Sequence, residues 1–415
     1  MTTTLTLLLY ALALPYVALM LLAVAGLFRR AAEPHSDARP SVSVLIPAHN
    51  EEDSLPGTLA SLTAQTYPGD AEFIIIDDRS QDATAAIVRD AATRDPRVRL
   101  VQVTEPDRRY APKVNAVNHG IAASSGEIIV TSDADCRYPR GWLEGMVSQF
   151  EPDVTMVVGY VETTPKGEAR SLLQRFETID WLSLMIVSRS LTRFGWKFAS
   201  SANNQAYRRS AFEAAGGFGA IGRAPSGDED LLTQRLGRLD GSRIVFASRP
   251  ETRVVTHAIP SWRALFEQRR RWVSRYHHPM HYHPGFLISI GLLGFQSIAL
   301  SLAIVAAPFL PSMAPWTFGL WTLEIAVMML GVGWGAYDLD RRDLIGPSLL
   351  GWAILHPFFI GSVVIASFLR SGEWRAGANP YRRRWFERRL RTLKRRIRIS
   401  PPLPPNRGDV PDEPS

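Results

Sequence analysis

Asp133 and Asp135 stand one residue apart just past Glu127 to Thr131, a short apolar run that follows Gly126. Such a run, β-branched and opened by a turn residue, reads as a buried strand. In open α/β sheets ligands bind beyond the carboxyl ends of the strands. Two carboxylates there suit a hard divalent cation that shares its other positions with substrate phosphates and water. An Asp-x-Asp pair is also common in solvated turns, so its neighbours in the chain decide between the two readings.

Strand and helix alternate upstream of this pair. Residues 41–46 read as a buried strand ending in Pro47-Ala48-His49-Asn50-Glu51-Glu52, followed by a helix over 53–65 on Leu55, Leu59 and Leu62, with Asp53 or Ser54 as N-cap. A turn at 67–70 leads to a second strand, 72–76, that ends in Asp77-Asp78-Arg79-Ser80. A helix over 83–92, a third strand over 98–103 and a helix over 113–123 precede the Asp133 strand. This alternation predicts a parallel sheet flanked by helices, an α/β fold.

Beyond Pro139 the pattern becomes mixed. A strand is expected over 154–161 and an amphipathic helix over 171–189, then a polar, Asn-rich stretch over 198–208. Gly216 to Gly219 form a loop before Asp228, Glu229 and Asp230, which open a helix running to Leu239. Short strands over 243–246 and 252–256 lead to a basic, aromatic helix over 261–276 that carries Gln268-Arg269-Arg270-Arg271-Trp272. No internal repeat is visible.

The 415 residues leave room for one large domain plus a membrane part. Residues 5–28, 286–310, 316–337 and 345–369 are each apolar over about the 20 residues a bilayer crossing needs, with Glu324 the charge inside the third. A cleavable leader is the alternative for the first, with Ala23-Val24-Ala25 as its site. The missing basic start and the long apolar run favour a retained anchor. Arg29 and Arg30 then put the next domain in the cytoplasm, on the inner side of the cell membrane. The expected division is an anchor over 1–28, a linker over 29–40, the α/β domain with its interfacial helix over 41–276, a membrane region over 286–370 and a tail over 371–415, basic and then of disordered composition. The single cysteine, Cys136, excludes an internal disulfide and fits a reducing compartment. His277, His278, His281 and His283 read as interfacial, beside the start of a membrane segment, and not as a metal site.

Five motifs in this order resemble the membrane-bound family-2 glycosyltransferases: Val44-Leu45-Ile46-Pro47-Ala48-His49-Asn50-Glu51, Asp77-Asp78-Arg79-Ser80, Asp133-Ala-Asp135, Gly227-Asp228-Glu229-Asp230, and Gln268, Arg271 and Trp272 as Gln-x-x-Arg-Trp. Together they cover residues 41–275. The resemblance implies a GT-A fold, a mostly parallel sheet that binds a nucleotide sugar. It places Pro47, Asn50 and Glu51 near the nucleotide and Asp78 on the base, with Asp77 close by. Lys113 would reach a phosphate or ribose. Asp133 and Asp135 would hold Mg2+ or Mn2+ on the donor diphosphate. The cluster Asp228, Glu229, Asp230 would supply the general base. It departs from the family's usual pair of acids: counting from Gly227 selects Glu229, whereas matching the Glu-Asp dipeptide selects Asp230. Gln268, Arg271 and Trp272 would line the acceptor and diphosphate end, and Asn204 matches a family asparagine there, although Ala202 stands where glycine is common.

Each motif also has a plainer reading. Asp-Asp-x-Ser before a helix is good capping chemistry, acids at a helix start complement its dipole, and the basic helix could lie on anionic headgroups through Arg269, Arg270 and Arg275 while Arg271 faces the site. The expected activity is inverting transfer of a sugar, with a UDP-sugar as donor, to a lipid or lipid-linked acceptor at the cytoplasmic face. Membrane lipid is an expected partner and nucleic acid is not. A processive β-polysaccharide synthase is the alternative, for which three C-terminal segments are few. A nucleotide-binding protein without catalysis would not need metal, base and acceptor motifs together. Four crossings would leave the basic tail outside, against the charge rule, so 345–369, with Pro347 and Pro357, is expected to be re-entrant or interfacial.

Overall fold

The computed structural model describes residues 2–29, 35–107, 109–197, 203–223, 228–274 and 282–369. The central sheet has the strand order β3-β2-β1-β4-β7-β5-β8. Its strands are β1 (Val42–Ala48), β2 (Ala71–Asp77), β3 (Val98–Gln102), β4 (Ile128–Thr131), β5 (Val154–Gly159), β7 (Gln205–Arg208) and β8 (Arg243–Ala247). The first four run parallel, whereas β7 pairs antiparallel with both β4 and β5. Alternation of side chains at period two sends Val44, Ile46, Ile75 and Val130 into one core and Leu45, Ile74, Ile76 and Ile129 into the other. Both faces are therefore dry, which is why these strands read as continuous apolar runs.

Helices α2 (Leu55–Thr63), α3 (Thr84–Arg94), α4 (Pro112–Ala123) and α5 (Trp142–Val147) connect the strands. Ser54 takes the N-cap position of α2 without a side-chain cap bond, and Pro56 lies in the first turn, where a missing N–H costs nothing. The strand expected over 154–161 divides at Tyr160. Its last part, β6 (Val161–Glu162), leaves the main sheet and pairs with β9 (Val254–Val255). Asn204 packs directly on Gly159 at this break, where a Cβ would collide with its amide. The Asn-rich stretch supplies β7, a central strand that its polar composition hides.

Three further helices complete this part: α6 (Leu172–Arg193), α7 (Arg209–Ala214) and α8 (Asp228–Leu236), the last three residues shorter than expected. Ser171 and Gln174 close a capping box on α6, each side chain bonded to the other's backbone N–H at 3.1 Å. Helix α9 (Trp262–Ser274) packs against α6 and the bundle.

Among the described residues four helices are each long and apolar enough to cross a bilayer: α1 (Thr2–Phe28), α10 (Pro284–Ala306), α11 (Ala314–Asp338) and α12 (Pro347–Leu369). The ring pairs Tyr10–Trp316 and Phe28–Trp334 set α1 parallel to α11, and the contacts of Leu349 with Gly333 and of Phe358 with Trp321 set α12 antiparallel to it. The expected interruption of α12 does not occur. Pro347 is its first residue, a position that suits proline, and Pro357 sits inside an unbroken helix whose flank is packed by α6 and α9. Helix α6 crosses the end of the bundle on small residues. A Cβ on Gly26 would lie 2.7 Å from the Ser190 carbonyl, and Gly335 receives Ile186. Arg193 donates to the carbonyls of Gly26 and Leu27 at 3.2 and 2.9 Å, satisfying the end of α1.

Candidate active site

The loops after β1 and β2 lie side by side because Ala48 and Asp77 are in register. They are laced together: Asp78 N–H donates to the Ala48 carbonyl (2.8 Å), His49 Nδ1 to the Asp78 carbonyl (2.7 Å), Asn50 N–H to Ser80 Oγ (3.0 Å) and Glu51 N–H to Thr84 Oγ1 (2.8 Å). Asn50 accepts from Gln81 N–H at 2.8 Å, so its amide oxygen builds the cradle. Asn50 and Arg79 hold φ of 56° and 61°, and such left-handed backbone clusters where surrounding contacts enforce it for function. Asp77 is spent on the turn, accepting from Ser80 N–H (2.9 Å) and Gln102 Nε2 (3.1 Å). Asp78, buried, pairs with Arg79 Nε at 2.9 Å. Pro47 lines a small pocket with Lys113, Val117, Thr131, Ser132, Gln205 and Phe218.

Asp133 and Asp135 follow β4 at the same edge of the sheet. Lys113, in the first turn of α4, sets its ammonium 2.5 Å from Asp133 Oδ1. Asp135 is the more enclosed, accepting from Thr256 Oγ1 (3.1 Å) and from the Cys136 thiol (3.6 Å). Burial first, and the Asp133 charge second, push the Asp135 carboxyl above its ordinary range. Glu51 is raised too, by burial and then by Asp135. Three carboxylates thus repel one another, with the Lys113 ammonium on Asp133, an arrangement that a divalent cation would relieve. Among the described residues no group of three or more His, Cys, Asp or Glu forms a closed metal cage. Two carboxylates with open positions are the donor set of Mg2+ or Mn2+ bound jointly with phosphates.

Of the acidic cluster, the Asp228 side chain lies outside the described residues, as do Gly227, Ala202, Arg275, His277, His278 and His281. Glu229 is half-buried and Asp230 buried at the start of α8. One turn on, Gln234 Oε1 accepts from the His283 N–H at 2.6 Å, tying this helix to the residue that caps α10.

For Arg269 and Arg270 of helix α9 the alternative reading, charges laid on headgroups, does not hold. Arg269 is buried and pairs with Asp180 of α6 at 2.7 Å, and Arg270, also buried, turns to Glu267. The reason is that Asp180 supplies a buried counter-charge, so this face of α9 packs on protein. Arg269 lies 4.2 Å from the centroid of Trp272, covering one face of that ring, and donates to the Gln268 amide oxygen. Arg271 and Trp272 are half-buried, and Trp181 packs on Trp272 at 5.1 Å between centroids. Asn204 does not join the acceptor end. It is wholly buried, donating to the carbonyls of Tyr160 (2.9 Å) and Thr252 (2.8 Å) and accepting from Trp142 Nε1 (3.0 Å), so its amide is consumed by the scaffold. Thr256, Gln234, Asp180 and Trp181 carry no local signal in the sequence; only tertiary packing brings them to the motifs.

Residues 43–216 match the model of glycosyl transferase family 2. The probable glycosyltransferase YdaM of Bacillus subtilis strain 168 is 31% identical over 241 residues, 56% of this chain and 54% of that protein. An undecaprenyl-phosphate 4-deoxy-4-formamido-L-arabinose transferase of Enterobacter sp. strain 638 is 33% identical over 123 residues, 29% of this chain and 37% of that one. The chain thus spans about half the length, or less, of these relatives. Among solved structures, the mannosyltransferase PcManGT from Pyrobaculum calidifontis, in complex with GDP-Man and Mn2+, aligns with a TM-score of 0.58 at 19% identity, covering 89% of this chain and 99% of that one. Residues 43–216 are thus similar to the family-2 glycosyltransferases, and the α/β part of this chain has the GT-A fold.

Proposed function

We propose that this protein is an integral-membrane, inverting glycosyltransferase that passes a sugar from a nucleotide-diphosphate donor, expected to be a UDP-sugar, to a lipid or lipid-linked acceptor at the cytoplasmic face of the cell membrane. One contact carries the reading. Gln234 fastens α8, with Glu229 and Asp230 one turn away, to His283 at the start of an apolar helix long enough to cross a bilayer. An acceptor hydroxyl or phosphate reaching these acids is therefore presented at the level of the bundle's end. The undecaprenyl-phosphate transferase among the relatives supports a lipid-linked acceptor.

In this reading the cradle of Pro47, Asn50, Glu51, Asp77 and Asp78 receives the nucleoside and Lys113 the phosphates. Asp133 and Asp135 would hold Mg2+ or Mn2+, which would supply positive charge against that building on the leaving diphosphate; the PcManGT structure, of similar fold, is a complex with GDP-Man and Mn2+. Glu229, or Asp230 beside it, takes the proton of the acceptor as its oxygen attacks the anomeric carbon in line with the departing phosphate oxygen. Arg271 offers its fork of donors to phosphate, and Trp272 would offer its ring edge to a sugar. The test is a screen of UDP- and GDP-sugars for nucleotide release by membranes holding the protein, with mass spectrometry of the lipid fraction. A glycosylated lipid whose mass gain matches one donor is the expected result. Release without any lipid product, or a water-soluble polymer as the product, would overturn the acceptor assignment.

A further inference from the structure

The connection between α11 and α12 contains the most deeply buried cation among the described residues. Arg341 has no exposed surface, and it reaches away from the bundle into the α/β domain. Its guanidinium donates to the Thr164 carbonyl (3.1 Å), forks onto Asp343 (3.0 and 3.1 Å) and lies 3.7 Å from the Glu162 carboxylate. Glu162, itself buried, meets Arg253 at 3.6 Å on its other oxygen. Glu162 belongs to β6, whose partner β9 runs into Thr256, and the Thr256 N–H donates to the Glu162 carbonyl at 2.9 Å. The Thr256 hydroxyl then holds Asp135 at 3.1 Å, while Val255 exchanges two backbone bonds (2.8 and 3.0 Å) with Arg137, two residues beyond Asp135.

We infer that Arg341 and Glu162 are positioning residues for the cation-binding carboxylate Asp135, acting from the α11–α12 connection through the β6–β9 pair and Thr256. This rests on the metal assignment made under Proposed function. Mere attachment of the connection to the domain would not require so buried a group. Lys166 already bridges to Asp340 at 2.7 Å, half-exposed, and Arg189 pairs with Asp338. A buried guanidinium is costly unless fully partnered, and its removal strands a buried carboxylate. Groups that orient metal ligands typically change metal affinity about 10–100-fold when altered.

The experiment is Mn2+ binding in the presence of UDP or GDP, followed by electron paramagnetic resonance on the purified full chain in nanodiscs, with thermal melting alongside. Arg341→Gln and Thr256→Val are expected to weaken Mn2+ binding about 10-fold or more. Arg341→Lys, which keeps the charge and loses the fork, should fall between them and wild type. Lys166→Met, which cuts only the half-exposed bridge, should bind Mn2+ as wild type does. If Arg341→Gln does not fold, Glu162→Gln replaces it, since it keeps the shape and removes the charge that Arg341 faces. A lowered melting temperature with unchanged Mn2+ affinity in these variants would overturn the inference and leave the joint a staple. Wild-type protein that binds no Mn2+ with either nucleotide would overturn the metal assignment, and this inference with it.

Discussion

The ammonium of Lys113 stands 2.5 Å from Oδ1 of Asp133, bringing the first turn of α4 onto the acidic edge of the sheet. On the proposed function, a cation so placed would meet donor phosphates. Lys113→Met is expected to raise the KM for donor about 10-fold or more, the scale of one charge-assisted hydrogen bond, with little change in melting temperature. Steady-state kinetics with the donor found by screening measures it; an unchanged KM would return Lys113 to neutralising Asp133 alone.

Asp135→Asn should abolish transfer and leave the protein inserted and folded, because one neutral ligand weakens a site with few carboxylates. Excess EDTA should silence the wild type in the same assay. Full activity under either condition would remove the metal from the mechanism.

Glu229 and Asp230 can be separated by paired substitutions. If Glu229 takes the acceptor proton, Glu229→Gln lowers transfer about 100-fold or more while donor binding holds, and Asp230→Asn is the milder change. The reverse order moves the base by one residue. Equal, small losses at both would reduce the cluster to complementing the dipole of α8.

Glu177, buried on α6, accepts the Ile259 N–H at 3.0 Å, and burial pushes its carboxyl from 4.5 up to about 7. A carboxyl raised on folding contributes its stability fully below pH 4.5 and loses it as pH rises through about 7, a loss of about 3 kcal/mol. Glu177→Gln should therefore flatten the decline in melting temperature between pH 5 and 8 and be the more stable protein at pH 8. Parallel curves for the two proteins would dismiss the titration.

Ser312 lies exposed in the turn between α10 and α11, at the opposite end of the bundle from the α11–α12 connection that touches the α/β domain. In a Cys136→Ser background, Ser312→Cys should react with an impermeant thiol reagent from outside right-side-out vesicles, whereas a cysteine at Arg342 should require permeabilisation. Labelling of the second from outside would reverse the orientation.

Much of the donor half was legible because its chemistry sits where strands end. The runs before Pro47, Asp77 and Asp133 are apolar on both faces, and the polar residues that interrupt them mark the edge of the sheet. The acceptor half was less so. Arg269 reads as a solvated charge on a basic helix, and only Asp180, 89 positions earlier, makes it a buried one. Asn204 looks like a ligand-binding amide, but three groups from distant segments consume it. Strand β7 escaped for a related reason: Gln205 is polar by type and yet buried between β4 and β5.

The glycines at 26 and 335 let α6 settle onto the bundle with no side chain between, and Arg193 clamps the end of α1 from the same helix. Contacts that close leave little room for α6 to rock on the bundle. On the proposed function, with α8 tied to the start of α10 through Gln234 and His283, the enzyme would work as a gauge. An acceptor whose reactive oxygen stands at the height of the α8 acids would be served, and one carried higher on a longer stem or lying deeper among the chains would be passed over, whatever its chemical identity.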